Sequence, residues 1–403
     1  MFKLAFRNIF RNRLRTFLTL AAIITGVIAI IISGGFVEDV FVQLREATIR
    51  SRIGHIQIFR HGYIEYGRRE PSRYMIEQPR LVMDLVQSIP HVQDVMARVN
   101  FSGLANNSRA DLPIIGEGIE PSKEERLGTA TTIVAGRSLK DTDAFGAMIG
   151  EGVADALHLR PGDFMTLMLN TSEGALNTLE YEVLGVFRTF SKEYDDRAVR
   201  IPLSSAQELL FTHSVHSIVV LLDDTSTTDS IAEILTNRLE PLGYEVKPWH
   251  ELADFYQKTE ALYRRQFGAL QSIILVMLVL SVASTVNMVM YERTGEFGTL
   301  LALGLRQRRI FKLVLLENVL LGLLGSLLGM ILGVALAAMI SRIGIAMPPP
   351  PGSSMGYTAT IHLVPWTLVI AGLTGVSASL LAAVLPARRA SRLVIVEALR
   401  HNV

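Results

Sequence analysis

The fold class predicted by the sequence is a helical membrane protein with four transmembrane helices and one large periplasmic α+β domain. Three observations predict it. Four long apolar runs are nearly free of charge. About 230 residues between the first and second runs alternate strand-like with helix-like spacing. Basic residues gather at one set of run ends. Composition agrees: 19% of the 403 residues are charged, against about 25% in a typical soluble chain, and the mean hydropathy is +0.34.

The first run, Phe17–Val37, has no charged residue, and neither has the second, Phe267–Met290. The third, Leu313–Ile340, contains one ionisable group, Glu317, and the fourth, Val364–Leu385, none. Each exceeds the roughly 20 residues that a helix needs to cross a hydrocarbon core of about 30 Å. The first is too long for the apolar core of a cleaved signal, and no A-x-A site follows it, although Ser33-Gly34-Gly35 is a small-residue patch. It is expected to remain as a span.

Lys3, Arg7, Arg11, Arg13 and Arg15 precede the first span without an acid. Arg293, Arg306, Arg308, Arg309 and Lys312 lie between the second and third, and Arg388, Arg389, Arg392 and Arg400 follow the fourth. The loop between the third and fourth has Arg342 as its basic residue besides His362. Bases mark the cytoplasmic side. Both termini and the 291–312 loop are therefore expected in the cytoplasm, with residues 38–266 and 341–363 outside, which in a Gram-negative cell, where the membrane is the bacterial inner membrane, is the periplasm. The Pro348–Pro351 run is a stiff spacer in that outer loop.

Within the large domain, His55–Phe59, Val92–Val99, Ser217–Leu222 and Tyr244–Pro248 read as strands. Pro79–Ile89 and Thr228–Leu239 have helical spacing. Two β-α-β units separated by more than a hundred residues predict a split ferredoxin-like subdomain interrupted by an inserted, β-rich one at about 101–214. In the insertion, Gly150–Leu159 reads as a helix, Arg160-Pro161-Gly162-Asp163 as a turn, and Phe164–Leu169 with Leu179–Val186 as a hairpin across Asn170–Thr178. Pro202–Leu210 reads as a helix capped by Ser204 or Ser205. Glu38–Arg50 and Glu251–Gln266 extend the first two spans outward as helical stalks. The expected organisation is 1–50 for entry helix, first span and stalk, 51–250 for the domain, and 251–403 for the remaining spans, loops and tail.

Several functions are excluded. The chain lacks cysteine, which removes disulfides, thiolate metal sites, cysteine nucleophiles and a lipid-modified cysteine. It lacks G-x-x-x-x-G-K-[ST] and H-E-x-x-H. The net charge of +1 offers no field for nucleic acid. Gly116/Gly118 and Gly150/Gly152 read as turns, and Glu180/Glu182 as one solvated strand face. No catalytic group, cofactor site or metal site is expected.

Two segments point to function. In Tyr291–Arg306, Phe297, Leu300, Leu301 and Leu303 crowd one side of a short helix, Gly304 is placed to stop it, and bases follow. Such a helix docks on a cytosolic partner or lies in the headgroups. In the third span, Gly325, Gly329 and Gly333 recur every four residues, with Gly322 preceding them. This places a close-packing face against another helix, within the chain or across a dimer.

Three motifs together resemble the FtsX-like permease module shared by MacB, LolC and LolE: Ala5-Phe6-Arg7-Asn8-Ile9-Phe10-Arg11-Asn12-Arg13-Leu14-Arg15-Thr16 as its entry helix, Glu292-Arg293-Thr294 with Glu296-Phe297-Gly298 and Ala302-Leu303-Gly304 as its coupling segment, and Leu385-Pro386-Ala387-Arg388-Arg389-Ala390 with Glu397-Ala398-Leu399-Arg400 as its C-terminal signature. The order of spans matches as well. The resemblance implies a mechanotransmission ABC transporter subunit. Its partners are a cytosolic ATPase dimer that carries the ATP and Mg, a second permease, identical or paralogous, and membrane lipids. Glu292, Arg293, Glu296, Phe297, Gly298, Leu300 and Gly304 become the ATPase contact. Lipoprotein extraction is the leading activity implied, with Ile31, Phe36 and Val40 meeting acyl chains. The alternatives are efflux of amphiphiles, peptides or drugs through a periplasmic adaptor, and FtsX-like activation of a cell-wall hydrolase. LolC captures its periplasmic carrier with a long loop. The hairpin here is short and lacks proline, so a carrier is expected to dock on a partner chain or to be absent.

Overall fold

The computed structural model describes residues 13–67, 69–127, 130–349 and 356–392. Most of the entry helix, the end of the proline run and Glu397–Arg400 lie outside the described residues. The chain forms two compact units. One comprises Met1–Val42, Glu260–Ala346 and Thr358–Val403; the other comprises Gln43–Thr259 and Met347–Tyr357. The large domain thus begins at Gln43 and runs to Thr259, beyond the expected 51–250 at both ends, because the stalk residues pack with it.

Four helices are long and apolar enough to cross a membrane. They are Arg13–Thr48, Asp254–Glu292, Gln307–Ile343 and Pro365–Ser391. The first has 36 residues and the second 39, so at 1.5 Å per residue each exceeds 50 Å. That surplus over a hydrocarbon core is the predicted stalk. In the first unit Ile23, Val27, Ile30 and Ile31 of the first helix share a buried cluster with Leu278, Val282 and Val286 of the second and Ala371, Ala378 and Ala382 of the fourth. The Ser33-Gly34-Gly35 patch is a packing feature: a Cβ on Gly35 would lie 2.6 Å from Ile361 Cγ2, and the Gly35 carbonyl accepts from the His362 amide at 3.0 Å. Nearby, Asp39 accepts from the Thr360 amide at 2.8 Å.

The second unit is built on one ten-stranded mixed sheet. Its strands are β1 (Ile56–Arg60), β2 (Val92–Asn106), β3 (Asp111–Ile119), β4 (Thr132–Gly136), β5 (Gly146–Gly150), β6 (Phe164–Asn170), β7 (Leu176–Arg188), β8 (Ala198–Pro202), β9 (Ser217–Leu222) and β10 (Tyr244–Pro248). The ferredoxin-like half is the antiparallel run β10-β1-β9-β2, crossed by helices Pro79–Gln87 and Thr228–Leu239. Period-two alternation explains its core. Ile218, Val220 and Leu222 of β9 join Val82, Val86, Ile231 and Leu235 of those helices in the main core. Val219 and Leu221 point the other way, to Met96 and Leu127.

The insertion is not separate from this sheet. β2 was expected to end near Val99 but runs on to Asn106, pairing with β9 through Val92–Arg98 and with β3 through Val99–Asn106. One strand therefore belongs to both halves. The expected hairpin is longer than its apolar core, with Thr171 and Ala175 closing the loop at 2.7 Å. The expected cap fails: the helix starts at Leu203 without a side-chain cap, and the Ser205 hydroxyl donates to the Ala144 carbonyl.

Two histidines lie in this core. His55 is fully buried; its Nδ1 accepts from the Leu222 amide at 3.2 Å and its Nε2 lies 3.0 Å from Thr225 Oγ1. His216, 3% exposed, accepts from the Asn100 amide. Burial lowers both to about 4. The unfolded chain takes up these protons near pH 6.5 and the folded domain only near pH 4. Stability is therefore complete above about pH 6.5 and declines as pH falls toward 4, by on the order of 2–3 kcal/mol per histidine. Melting followed by Trp249 fluorescence in a Trp366→Phe background should show a lower midpoint at pH 4.5 than at pH 7. His216→Asn should shrink that difference; an equal drop in the variant would count against the assignment.

Candidate functional site

The segment between the second and third long helices folds as predicted into a short helix, Thr294–Ala302. Its end is a Schellman turn: the Leu305 amide donates to Leu300 O and the Gly304 amide to Leu301 O, both at 3.0 Å. Gly304 has φ +88°, a left-handed conformation that suits glycine and stops the helix there. The third long helix then starts at Gln307.

One face of the short helix is fixed. Phe297 is fully buried, and Gly295 and Gly298 are buried beside it. Arg293, 7% exposed, and Glu317, 6% exposed, form a 2.8 Å ion pair from Nη1 to Oε2. Arg293 Nε donates to Glu296 at 3.1 Å, and its guanidinium lies 4.9 Å from the Phe297 ring centroid. The sequence could not pair Glu317; Arg306 and Lys312 were the neighbours in view. Both are exposed, and the partner is Arg293, 24 residues away.

The other face is open. Glu292, Glu296, Thr299, Ala302, Leu303 and Gly304 are exposed, with Tyr291 70% and Leu303 80% exposed. Exposed Arg306, Arg308, Arg309 and Lys312 follow. The seven candidate contact residues thus divide by role. Arg293, Phe297 and Gly298 brace the helix from within, and Leu300 is half-buried. Glu292, Glu296 and Gly304 share the open face with Leu303, a residue that sequence reasoning had placed on the apolar side.

The glycine face of the third long helix packs inside the chain. A Cβ on Gly325 would lie 2.8 Å from Ile23 Cγ2, on Gly329 2.8 Å from Val27 Cβ, and on Gly333 2.9 Å from Ile31 Cδ1. Gly322 faces the fourth helix, at Val376 and Ser379. Ser379 Oγ donates to the Asn318 backbone carbonyl at 2.7 Å, a polar link that position 318 could not signal because its acceptor is backbone. Ile31 was expected to meet acyl chains; it is fully buried against Gly333 and offers no such surface. Phe36 and Val40 keep partial exposure. Among the described residues no cluster of His, Asp or Glu could hold a metal.

Four apolar helices, a ferredoxin-like domain inserted after the first, and a braced helix with one open face define a membrane-embedded permease. A model described as the MacB-like periplasmic core domain matches residues 16–238, and one described as the FtsX-like permease C-terminal matches residues 269–395. The chain belongs to this family, the ABC transporter permeases of MacB, LolC and FtsX type, and is an inner-membrane protein with a periplasmic segment. The macrolide export ATP-binding/permease protein MacB of Wolinella succinogenes is 24% identical over 414 residues, spanning 97% of this chain and 59% of that protein. The lipoprotein-releasing system transmembrane protein LolC of Xylella fastidiosa is 24% identical over 335 residues, spanning 79% and 80%. The periplasmic region of MacB from Actinobacillus actinomycetemcomitans aligns with 51% of this chain and 94% of that structure, at 16% identity and a TM-score of 0.37. The chain therefore covers about three fifths of the MacB relative's length.

Proposed function

We propose that this chain is the transmembrane subunit of an ABC transporter that turns ATP hydrolysis by a partner ATPase into movement of its periplasmic domain. The observation that carries the reading is the Thr294–Ala302 helix, held on one side by the Arg293–Glu317 pair and open on the other. An exposed helix braced by a buried ion pair is a stiff handle. Its acidic, apolar and basic exposed groups suit a protein surface better than the headgroup layer, which favours an apolar inner face. In this reading both termini and the 291–312 segment are cytoplasmic, as the arrangement of bases supports.

Lipoprotein extraction from the outer leaflet is the activity we favour, because the LolC relative matches over comparable lengths. Phe36 and Val40 are then the residues placed to meet acyl chains. The MacB relative, which spans nearly the whole of this chain, and the short Thr171–Ala175 hairpin loop support a second reading, efflux with a periplasmic adaptor.

Purification from native membranes after mild crosslinking through a photoreactive residue at Leu303, with mass spectrometry of proteins and lipids, tests the reading. An ATPase crosslinked there and a bound triacylated lipoprotein are expected. An ATPase with an adaptor and no lipoprotein would replace extraction by efflux, and no ATPase would remove the coupling role. Without crosslinking, Leu303→Asp should abolish ATPase co-purification while leaving the stability within about 0.5 kcal/mol of wild type, since the side chain is exposed.

A further inference from the structure

The first stalk does not end as an ordinary helix. After Thr48 the chain makes one π-helical turn, Ile49–Ile53, and turns into β1 at Gly54, φ +72°. A Cβ on Gly54 would lie 2.4 Å from Val219 Cγ1, so the turn is pressed against β9. Three adjacent strands of the domain then each offer it one charged side chain.

From β2, Arg98 donates Nη1 to the Arg52 carbonyl at 2.6 Å and Nη2 to both oxygens of Glu124 at 2.9 and 2.8 Å. From β8, Arg200 donates Nη2 to the Ser51 carbonyl at 3.0 Å. From β3, Glu117 accepts from Arg52 Nε at 2.7 Å and from the Tyr194 hydroxyl at 2.6 Å. Glu117 and Arg200 face each other in the β3–β8 register, with Arg200 Nε 3.4 Å from Glu117 Oε2. Glu117 is fully buried, and Arg98 and Arg200 are 2% and 3% exposed. Burial alone would raise Glu117, but the charges of Arg52, Arg98 and Arg200 and the Tyr194 hydrogen bond hold it down to about 2. It is a permanent anion among permanent cations.

Buried charges of this kind are tolerable only while every partner is in place. Moving the Ser51–Arg52 carbonyls by even 1 Å would strip acceptors from two buried guanidiniums, in surroundings where unpaired charge is most costly. Such a contact does not slide. The second stalk meets the same region differently, mainly by packing: Trp249, Ala253 and Tyr256 cluster with Leu44 and Ile49, and the Trp249 amide donates to the His55 carbonyl at 2.9 Å. The charged contact also reaches both halves of the sheet, because β2 is shared between them and β3 and β8 belong to the insertion.

We propose that Ser51 and Arg52, clamped by Arg98, Glu117 and Arg200, form the rigid joint through which the first stalk drives the whole periplasmic sheet. Glu117 is a positioning residue in this scheme, since it touches no substrate. The proposal rests on the coupling of ATP hydrolysis to domain movement argued above.

The chain lacks cysteine, so introduced labels are unambiguous. Spin labels at Gln43→Cys and Arg109→Cys, in the full chain in nanodiscs, report the joint without nucleotide. Wild type should give one narrow distance distribution. Glu117→Gln should widen it at least twofold, and Tyr256→Leu on the second stalk should leave it narrow. Equal widths for wild type and Glu117→Gln would overturn the joint. Should Glu117→Gln fail to accumulate, Arg52→Gln serves: its side chain is 42% exposed, and the same widening is expected. In the complex with its ATPase, a single label at Arg109→Cys in each of two paired permeases should shift between the nucleotide-free and vanadate-trapped states. Glu117→Gln should keep ATP hydrolysis within twofold and lose that shift; retention of the shift would overturn the driving role. A wild-type complex with a narrow joint but no nucleotide-linked shift would instead overturn the transporter reading, so the two failures are distinguishable.

Discussion

Arg293→Ala should destabilise the membrane unit by about 3–5 kcal/mol, because it leaves the Glu317 carboxylate buried without its cation. Glu317→Ala should do the same from the other side. The pair is 2.8 Å apart with both side chains under a tenth exposed, and Arg293 also reaches Glu296 and lies over Phe297. Deleting the arginine therefore removes the brace of the short helix as well as an ion pair. The replacement of both charges, Arg293→Met with Glu317→Leu, should recover most of the lost stability, since an apolar pair of similar volume avoids the uncompensated charge. Recovery of stability need not bring recovery of coupling, because the helix would lose the fork that fixes its angle. A double-mutant cycle on melting in detergent, read beside ATPase binding, checks this. Additive single and double effects would mean that the two residues do not interact.

Gly329→Leu is expected to have the other large effect. A single Cβ at this position would already lie 2.8 Å from Val27 Cβ and 3.2 Å from the Ile24 carbonyl oxygen. A side chain could shift, but the backbone oxygen belongs to the facing helix and yields only if the two helices separate. Overpacking of well-packed cores usually costs about 1–3 kcal/mol, and forcing two helices apart along a shared face should exceed that. Folded protein recovered from membranes should fall at least tenfold. Leu327→Ala, on the exposed side of the same helix at 53% exposure, should change recovery little. Wild-type recovery of Gly329→Leu would show that the glycine face is not packed within the chain.

Much of this architecture was legible because it is written in local periodicity. Ser217–Leu222, Thr228–Leu239 and Tyr244–Pro248 have the bounds their spacing predicts. The four spans and the stop at Gly304 were equally readable. A span is a run of apolar residues, and a helix stop is one residue with a permitted left-handed backbone. The candidate site was legible as a segment but not as a surface. Spacing placed Phe297 and Leu303 together on an apolar side, yet one is fully buried and the other 80% exposed. Leu303 is the helix's last flanking residue, and the Schellman turn carries it away from the face that Phe297 seals.

The sequence by itself determined the class of protein: four spans, stalks, a ferredoxin-like domain with an insertion after the first β-α-β unit, and a short helix poised between the second and third spans. Only the tertiary structure decided the pairings. It gave Glu317 to Arg293, set the Gly325–Gly333 face on Ile23, Val27 and Ile31, carried β2 through both halves of the sheet, and gathered Arg52, Arg98, Glu117 and Arg200 around one π-turn. Arg52 and Glu117 lie 65 residues apart, Ser51 and Arg200 149. Hydrophobic period is set by neighbours within a few residues and can be read along a chain. The partner of a buried charge is set by which strands and helices close on one another, and that choice exists only once the chain has folded.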